Sequence, residues 1–307
     1  GSDIFVSRLS NNGGSLLSST FLGGSENDGL NTAPRLKFNY ADEIRGEIDI
    51  DNNNNVYIVS STYSSDFPVT PSTFQPILAG EQDGCIIKMD NQLSTIIWAS
   101  FLGGEEDDAA YSLALDKENI IYVTGGTVSK DFPTTPFSYN NTYNDSAYSD
   151  AFVSKIDNRG SSIIHSTFYG SDQYDQSYFI ELNKRGDIYI YGQTNADSNL
   201  LVFNANYFTS NGGQFISVFD NDLSSVIRST VLGTGKGSPD ISPTAFLVDK
   251  CNNIYISGWG SNLGGALSTL NLPVTSSAFQ STTDGNDFYL AVINEFLDSL
   301  EYATYFG

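Results

Sequence analysis

Carboxylates recur in this chain at one fixed place. Just after each phrase of the Ser-Thr-Phe-Leu-Gly-Gly type come Glu26 with Asp28, Glu105-Glu106-Asp107-Asp108, Asp172 with Asp175, and Asp240. Hard cations such as calcium take several oxygen ligands at about 2.3–2.6 Å, and adjacent carboxylates with loop carbonyls can supply them. Glu105, Glu106, Asp107, Asp108, Asp172 and Asp175 are therefore the candidate calcium ligands, with solvated loop acids as the competing reading. The run from Asp49 to Asn55 superficially resembles a calcium loop but lacks the central glycine and distal glutamate of the EF-hand pattern. Its alignment with Asp116, Asn183 and Asp249 points instead to an Asx-type hairpin turn. Paired acids also hydrolyse glycosidic bonds, and Glu47, Asp49 and Glu181 are the inner-strand candidates. The Asp49 position is Ala114, Glu181 and Leu247 in the other repeats, so no ring of acids forms. His165 is the only histidine, which excludes a histidine-based triad and a multi-histidine metal site. The residues predict a protein that is not an enzyme.

Aromatic side chains offer a second chemistry. Phe21, Phe101, Phe168 and Phe306 share one repeat position, and Tyr57, Tyr122, Tyr189 and Tyr255 share another, as expected of packing between repeats. Aromatics outside the repeat are the binding candidates: Tyr63, Tyr139, Tyr143, Tyr148, Tyr207 and Trp259. Tyrosine presents a flat apolar face with a polar tip, suited to sugars or protein surfaces. Trp259 directly follows a strand, where capping that strand is the alternative role.

The elements that position these residues come from a repeat. Its phrase starts near Asp3, Asp83, Asp150, Gln214 and Asp287, spaced by 64 to 80 residues. Each unit carries an apolar run, a short polar turn, an Ile-Tyr-Ile type strand, a long Ser/Thr/Pro-rich segment, and a second hairpin. Two hairpins make the four antiparallel strands, A to D, of a propeller blade. The fold class is therefore all-β: a β-propeller of four full blades plus an N-terminal C–D hairpin, forming one domain over residues 1–307. A missing A–B hairpin predicts an incomplete ring or one closed by a partner. The B-to-C segments, roughly 60–82, 126–149, 193–213 and 259–286, place most of the loop length on one face, where binding is expected.

Composition narrows the partners. Thirty-six acids against fourteen bases give a net charge of -22, which repels nucleic acid and anionic lipid and leans toward an extracellular setting. No run reaches the roughly 18 apolar residues of a membrane span. Gly1-Ser2 lacks the basic and apolar regions of a signal peptide, and a start in mid-repeat is expected of an excised fragment. Cys85 and Cys251 give no disulfide framework and no zinc spacing.

Asp66-Phe67-Pro68-Val69-Thr70-Pro71 and Asp131-Phe132-Pro133-Thr134-Thr135-Pro136, with the Ser-Thr-Phe-Leu-Gly-Gly and Asn-Ile-Tyr-Ile phrases, resemble the bacterial SBBP β-propeller repeat over nearly the whole chain. The stretches Tyr174–Phe179, Ser242–Val248 and Thr282–Tyr289 are similar to large secreted Bacteroidota proteins described as gliding-motility-associated, many of them cargo of type IX secretion. That resemblance implies a secreted, cell-surface module acting in adhesion or appendage building, with no catalytic residues to carry over. Its implied partners are other domains or subunits of a surface assembly, with glycans or a target-cell surface as alternatives. The third and fourth units depart from Asp-Phe-Pro at residues 197–203 and 271–275. A glycan-binding lectin propeller and, behind it, a propeller glycoside hydrolase are the other readings.

Overall fold

The computed structural model describes residues 1–143, 147–197, 199–261 and 267–307, save the side chain of Tyr40; the remaining parts of the three later B-to-C segments lie outside the described residues. An N-terminal hairpin pairs β1 (Ile4–Leu9) with β2 (Leu16–Leu22). Four antiparallel four-stranded sheets follow: β3 (Glu47–Ile50), β4 (Val56–Thr62), β5 (Asp83–Met89) and β6 (Ile96–Leu102); β7 (Asp108–Leu115), β8 (Ile121–Thr127), β9 (Asp150–Ile156) and β10 (Ile163–Tyr169); β11 (Asp175–Leu182), β12 (Ile188–Thr194), β13 (Gln214–Phe219) and β14 (Val226–Leu232); β15 (Ser242–Val248), β16 (Ile254–Trp259), β17 (Phe288–Ile293) and β18 (Leu300–Phe306). Each sheet runs in chain order, as a propeller blade does. The fold is all-β: among the described residues it has four four-stranded sheets arranged like propeller blades and an N-terminal two-stranded hairpin.

The chain forms two compact units, Gly1–Pro136 with Val153–Ser166, and Phe137–Phe152 with Thr167–Gly307. In the first, β7 packs on β3, β4 and β5; in the second, β15 packs on β11 and β12. The second strands β4, β8 and β12 show no alternation and are buried at every residue. β16, in the last blade, alternates between buried and more exposed residues. The core of the first unit gathers Val6, Leu22, Ile58, Phe67, Ile87 and Phe101, and that of the second Tyr191, Ile216, Phe246, Ile256 and Tyr289.

Sequence explains the turns directly. The A-to-B turns are Asx turns: Asp51 accepts the Asn53 and Asn55 amides at 2.9 and 2.8 Å, Asp116 those of Glu118 and Ile120 at 2.9 Å each, and Asp249 those of Cys251 and Asn253 at 2.8 and 2.9 Å. Asn54, Asn119 and Asn252 supply the left-handed residue, with φ of 60°, 61° and 63°. Asp51 is thus committed to its hairpin.

The long B-to-C segments behave differently from expectation. They run back along the outer strand of their own blade: the Thr70 amide bonds Ala99 O at 2.9 Å and Phe101 N bonds Gln75 O at 3.0 Å, while Phe203 and Ser229 bond each other's carbonyls at 2.9 and 2.7 Å. Thr275 N likewise reaches Ala303 O at 3.2 Å. Strand D would otherwise present a bare edge, and these segments cover it. Asp-Phe-Pro serves this course, since Phe67 and Phe132 are buried while Asp66 and Asp131 accept the amides of Ser25 and Glu105 at 2.8 and 3.0 Å.

The alignment of Phe306 is corrected by one residue. Cys85 opposes Phe101 and Tyr289 opposes Tyr305, so Tyr305 holds the repeat position; it is buried, whereas Phe306 is exposed. Burial of the repeated rings holds in the interior blades, at Phe101, Phe168, Tyr57, Tyr122 and Tyr189. Phe21 and Tyr255, in the first and last sheets, are exposed.

Candidate functional site

The acidic runs divide by direction. Glu105 and Glu106 are exposed, and Glu106 pairs with Arg35 at 2.9 Å. Asp107 is half-buried, and burial with Glu81 nearby raises its pKa. Asp108 turns inward and is fully buried; it accepts the Gly104 amide at 2.6 Å and the Ser129 hydroxyl at 2.8 Å, and the Thr127 side chain also holds it. In the second unit Asp172 is exposed while Asp175 is buried, accepting the Ser171 amide and hydroxyl at 2.6 and 2.8 Å. Asp28 and Asp240 repeat the arrangement, taking the amides of Gly24 and Thr234 at 2.7 and 2.8 Å.

Each inward aspartate therefore ties the end of one blade's strand D to the start of the next blade's strand A. At the Asp108 junction a second carboxylate, Asp83, meets it. A methyl on Gly103 would lie 2.6 Å from Asp83 Oδ1 and 2.7 Å from Asp108 Oδ2, so both acids converge on this glycine and only a hydrogen fits between them. Asp83 accepts the Ala79 and Gly80 amides at 2.9 and 3.1 Å and the Gln75 amide group at 2.9 Å. Burial pushes Asp83 up to about 6 and Asp175 up to about 8, and holds Asp108 well above the ordinary carboxylate range.

The six candidate calcium ligands are not gathered into one ligand set. Glu105, Glu106 and Asp172 face solvent while Asp108 and Asp175 turn inward, and among the described residues no group of three or more acidic, histidine or cysteine side chains could hold a metal. Glu47 is also engaged: it accepts the Ser112 hydroxyl and, at 3.1 Å, the Leu113 amide. Asp49 accepts the Ile50 amide at 2.7 Å, and Glu181 lies opposite Tyr189 in the other unit. His165 sits on β10, the outer strand of its sheet.

The loop aromatics scatter as well. Tyr63 is half-buried and exchanges a 2.8 Å hydrogen bond with the Thr32 hydroxyl. Tyr143 donates to the Tyr148 carbonyl and packs edge-on against Phe168 at 5.6 Å, leaving the Tyr148 ring exposed. Tyr207 is half-buried beside Leu272 and Tyr289, and burial raises its pKa. Trp259 ends β16 between Ser242 and Phe288 and is half-buried.

Tyr139 is the one that joins a recognisable site. It borders an open cleft of about 370 Å³ in the second unit, with Tyr169, Leu200, Leu201 and Phe203 as apolar walls and Ser224, Ser225 and Ser229 as polar ones. Tyr139 is 47% exposed and Phe203 53%. The Tyr139 amide donates to Leu223 O at 2.7 Å, and its ring meets Tyr169 at 6.1 Å and Phe219 at 5.8 Å. Beneath it the Tyr169 hydroxyl shares hydrogen bonds with Ser229 at 2.8 Å and Ser217 at 2.5 Å. Reading the sequence by repeats passes over Tyr169 and Phe203. The available signal was the break from Phe-Leu-Gly to Phe-Tyr-Gly at Tyr169.

No family model matches the chain, and no curated protein matches it. Among solved structures it is similar to a protein of unknown function from Dyadobacter fermentans, at 12% identity and a TM-score of 0.43, over 85% of this chain. The chain spans 64% of that protein's length. No helix is long and apolar enough to cross a membrane among the described residues.

Proposed function

We propose that this chain is a non-catalytic β-propeller module of a secreted cell-surface protein, contributing to adhesion or to a surface appendage through the Tyr139–Phe203 cleft. The exposed cleft carries the reading: it joins aromatic faces to serine hydroxyls, whereas Asp108, Asp175 and Glu47 already accept protein hydrogen bonds. The secreted, surface-bound setting and the SBBP and gliding-motility likeness rest on the sequence phrases alone. The net charge of -22 accords with partners other than nucleic acid. Within the module reading, aromatic walls beside hydroxyls favour a glycan as ligand, because sugars stack on such faces and exchange hydrogen bonds at their rim.

Glycan-array binding tests this, run with calcium and with chelator. Signal is expected under both conditions, because the inward carboxylates already accept protein hydrogen bonds. A Tyr139→Ala, Phe203→Ala double variant should lose about fivefold to 150-fold in apparent affinity, since each aromatic contact contributes roughly 0.5–1.5 kcal/mol beyond its burial. Its unfolding midpoint should stay near wild type, both rings being about half exposed. Silence on the array would drop the glycan and leave a structural building block; signal lost to chelator would restore calcium.

A further inference from the structure

We infer that the Tyr139–Phe203 cleft takes a glycan free of anionic groups, held by sugar hydroxyls that donate hydrogen bonds to a wall of acceptors. The inference rests on reading the cleft as a glycan site and adds the chemical class that the site selects.

The polar wall is defined by where its protons go. Ser224 Oγ donates to Asp220 Oδ2 at 2.6 Å and Ser225 Oγ donates to the same oxygen at 2.7 Å, while the Ser224 amide reaches Asp220 Oδ1 at 2.8 Å. An ionised carboxylate only accepts, so both hydroxyl protons are directed into the turn. Partial burial opposes the charge on Asp220, but the hydrogen bonds from Ser224 and Ser225 prevail and hold its carboxyl below the ordinary range. What these two serines offer a ligand is lone pairs.

A buried ring of three hydroxyls extends the pattern. Ser217 Oγ donates to the Tyr169 hydroxyl at 2.5 Å, and Ser229 Oγ lies 2.8 Å from that hydroxyl and 2.7 Å from Ser217 Oγ. Each hydroxyl carries one proton, so Ser229 must donate to Ser217, and Tyr169 to Ser229. The ring is closed, and Tyr169 and Ser229, which line the cleft, also keep only lone pairs. Of the hydroxyls lining the cleft, that of Tyr139 is the one whose proton is not taken up among the described residues.

Charge points the same way. No lysine, arginine or histidine lines the cleft among the described residues. Arg228, next to Ser229 in sequence, is engaged elsewhere: it donates to Glu295 O at 2.6 Å and lies 5.2 Å from the Phe296 ring centre. A carboxylate or sulfate on a ligand would therefore lose water without meeting a cation, and would face lone pairs backed by Asp220. A neutral sugar suits both walls, its hydroxyls donating to the serines and its C–H face lying on Tyr139 and Phe203. Leaving the wrong ligand's charge unpaired is how such a site discriminates.

The test is affinity, by titration calorimetry, for oligomers of glucose, galactose and N-acetylglucosamine, each beside a counterpart bearing uronic acid or sulfate groups. The neutral member of a pair should bind at least about tenfold more tightly. Asp220→Asn should narrow that preference at least about threefold: the new oxygen stays with the Ser224 amide, so the new nitrogen faces both serine hydroxyls and returns their protons to the cleft. Asp157→Asn makes the same change in an equivalent turn that does not line the cleft, where Asp157 accepts the Ser161 amide and hydroxyl at 2.6 and 2.5 Å. It should leave the preference as in wild type, which separates altered polarity from a weakened turn. Equal or tighter binding of the acidic members would overturn the inference and leave the glycan reading standing, as would an Asp220→Asn preference equal to wild type. Silence toward every oligomer would overturn both.

Discussion

Asp108→Ala should destabilise the first unit by roughly 2–5 kcal/mol, while Asp108→Asn should cost little or even stabilise at neutral pH. Alanine strips the partner from the buried Gly104 amide and Ser129 hydroxyl, and an unsatisfied buried group costs about 1–3 kcal/mol. Asparagine keeps an oxygen for those donors and removes a charge that burial and neighbouring Asp83 both penalise. The comparison therefore separates acceptor from charge, which a single deletion cannot do. Gly103→Ala should resemble Asp108→Ala, because its methyl enters the space between the two carboxylates. Urea unfolding at pH 7.5 reads all three. An alanine variant within 1 kcal/mol of wild type would mean that the junction is not what fastens one blade to the next.

The blades were legible because packing between sheets repeats, and what repeats in structure repeats in sequence. Phe101, Tyr57 and their equivalents announce buried strands, and Asp116 with Asn119 announces a turn by its own local chemistry. The slip at Phe306 shows the limit: adjacent aromatics, Tyr305 and Phe306, point to opposite faces of one strand, and only the register with Tyr289 decides between them. Acids were harder still. Glu105 to Asp108 read as one cluster, yet the strand begins at Asp108 and sends that carboxylate to partners around residue 128, while its neighbours stay in the loop. Loop course was hidden for another reason. The hydrogen bonds that lay Thr70 or Phe203 along an outer strand join segments some thirty residues apart and follow from the need to cover an edge, which composition does not reveal. Tyr139 was named for its chemistry, but its neighbours in the cleft come from that same folding-back.

The buried carboxylates also fix how stability should depend on pH, and the direction is unusual. Asp175, at about 8, and Asp83, at about 6, hold protons in the folded chain that they release when unfolding returns them to near 3.9. Between those limits the native state binds more protons than the unfolded one, so stability falls as pH rises, and the loss is complete only above about 8. Asp51 and Asp220 work the other way: hydrogen bonds within their turns lower them, so their contribution is present above the ordinary value and disappears as acid protonates them below it. Stability should therefore peak in acid, near pH 4, and decline toward pH 9 by on the order of 2–4 kcal/mol, less than the ideal of about 1.4 kcal/mol per tenfold change in proton affinity summed over both sites. Asp175→Asn should match wild type near pH 4 and exceed it at pH 9, since it removes the group whose ionisation costs most. Denaturation midpoints measured at pH 4, 7 and 9 decide the matter. A midpoint that rises toward pH 9, or a variant curve parallel to wild type throughout, would show that the junction carboxylates ionise freely and that water reaches the seam between the blades.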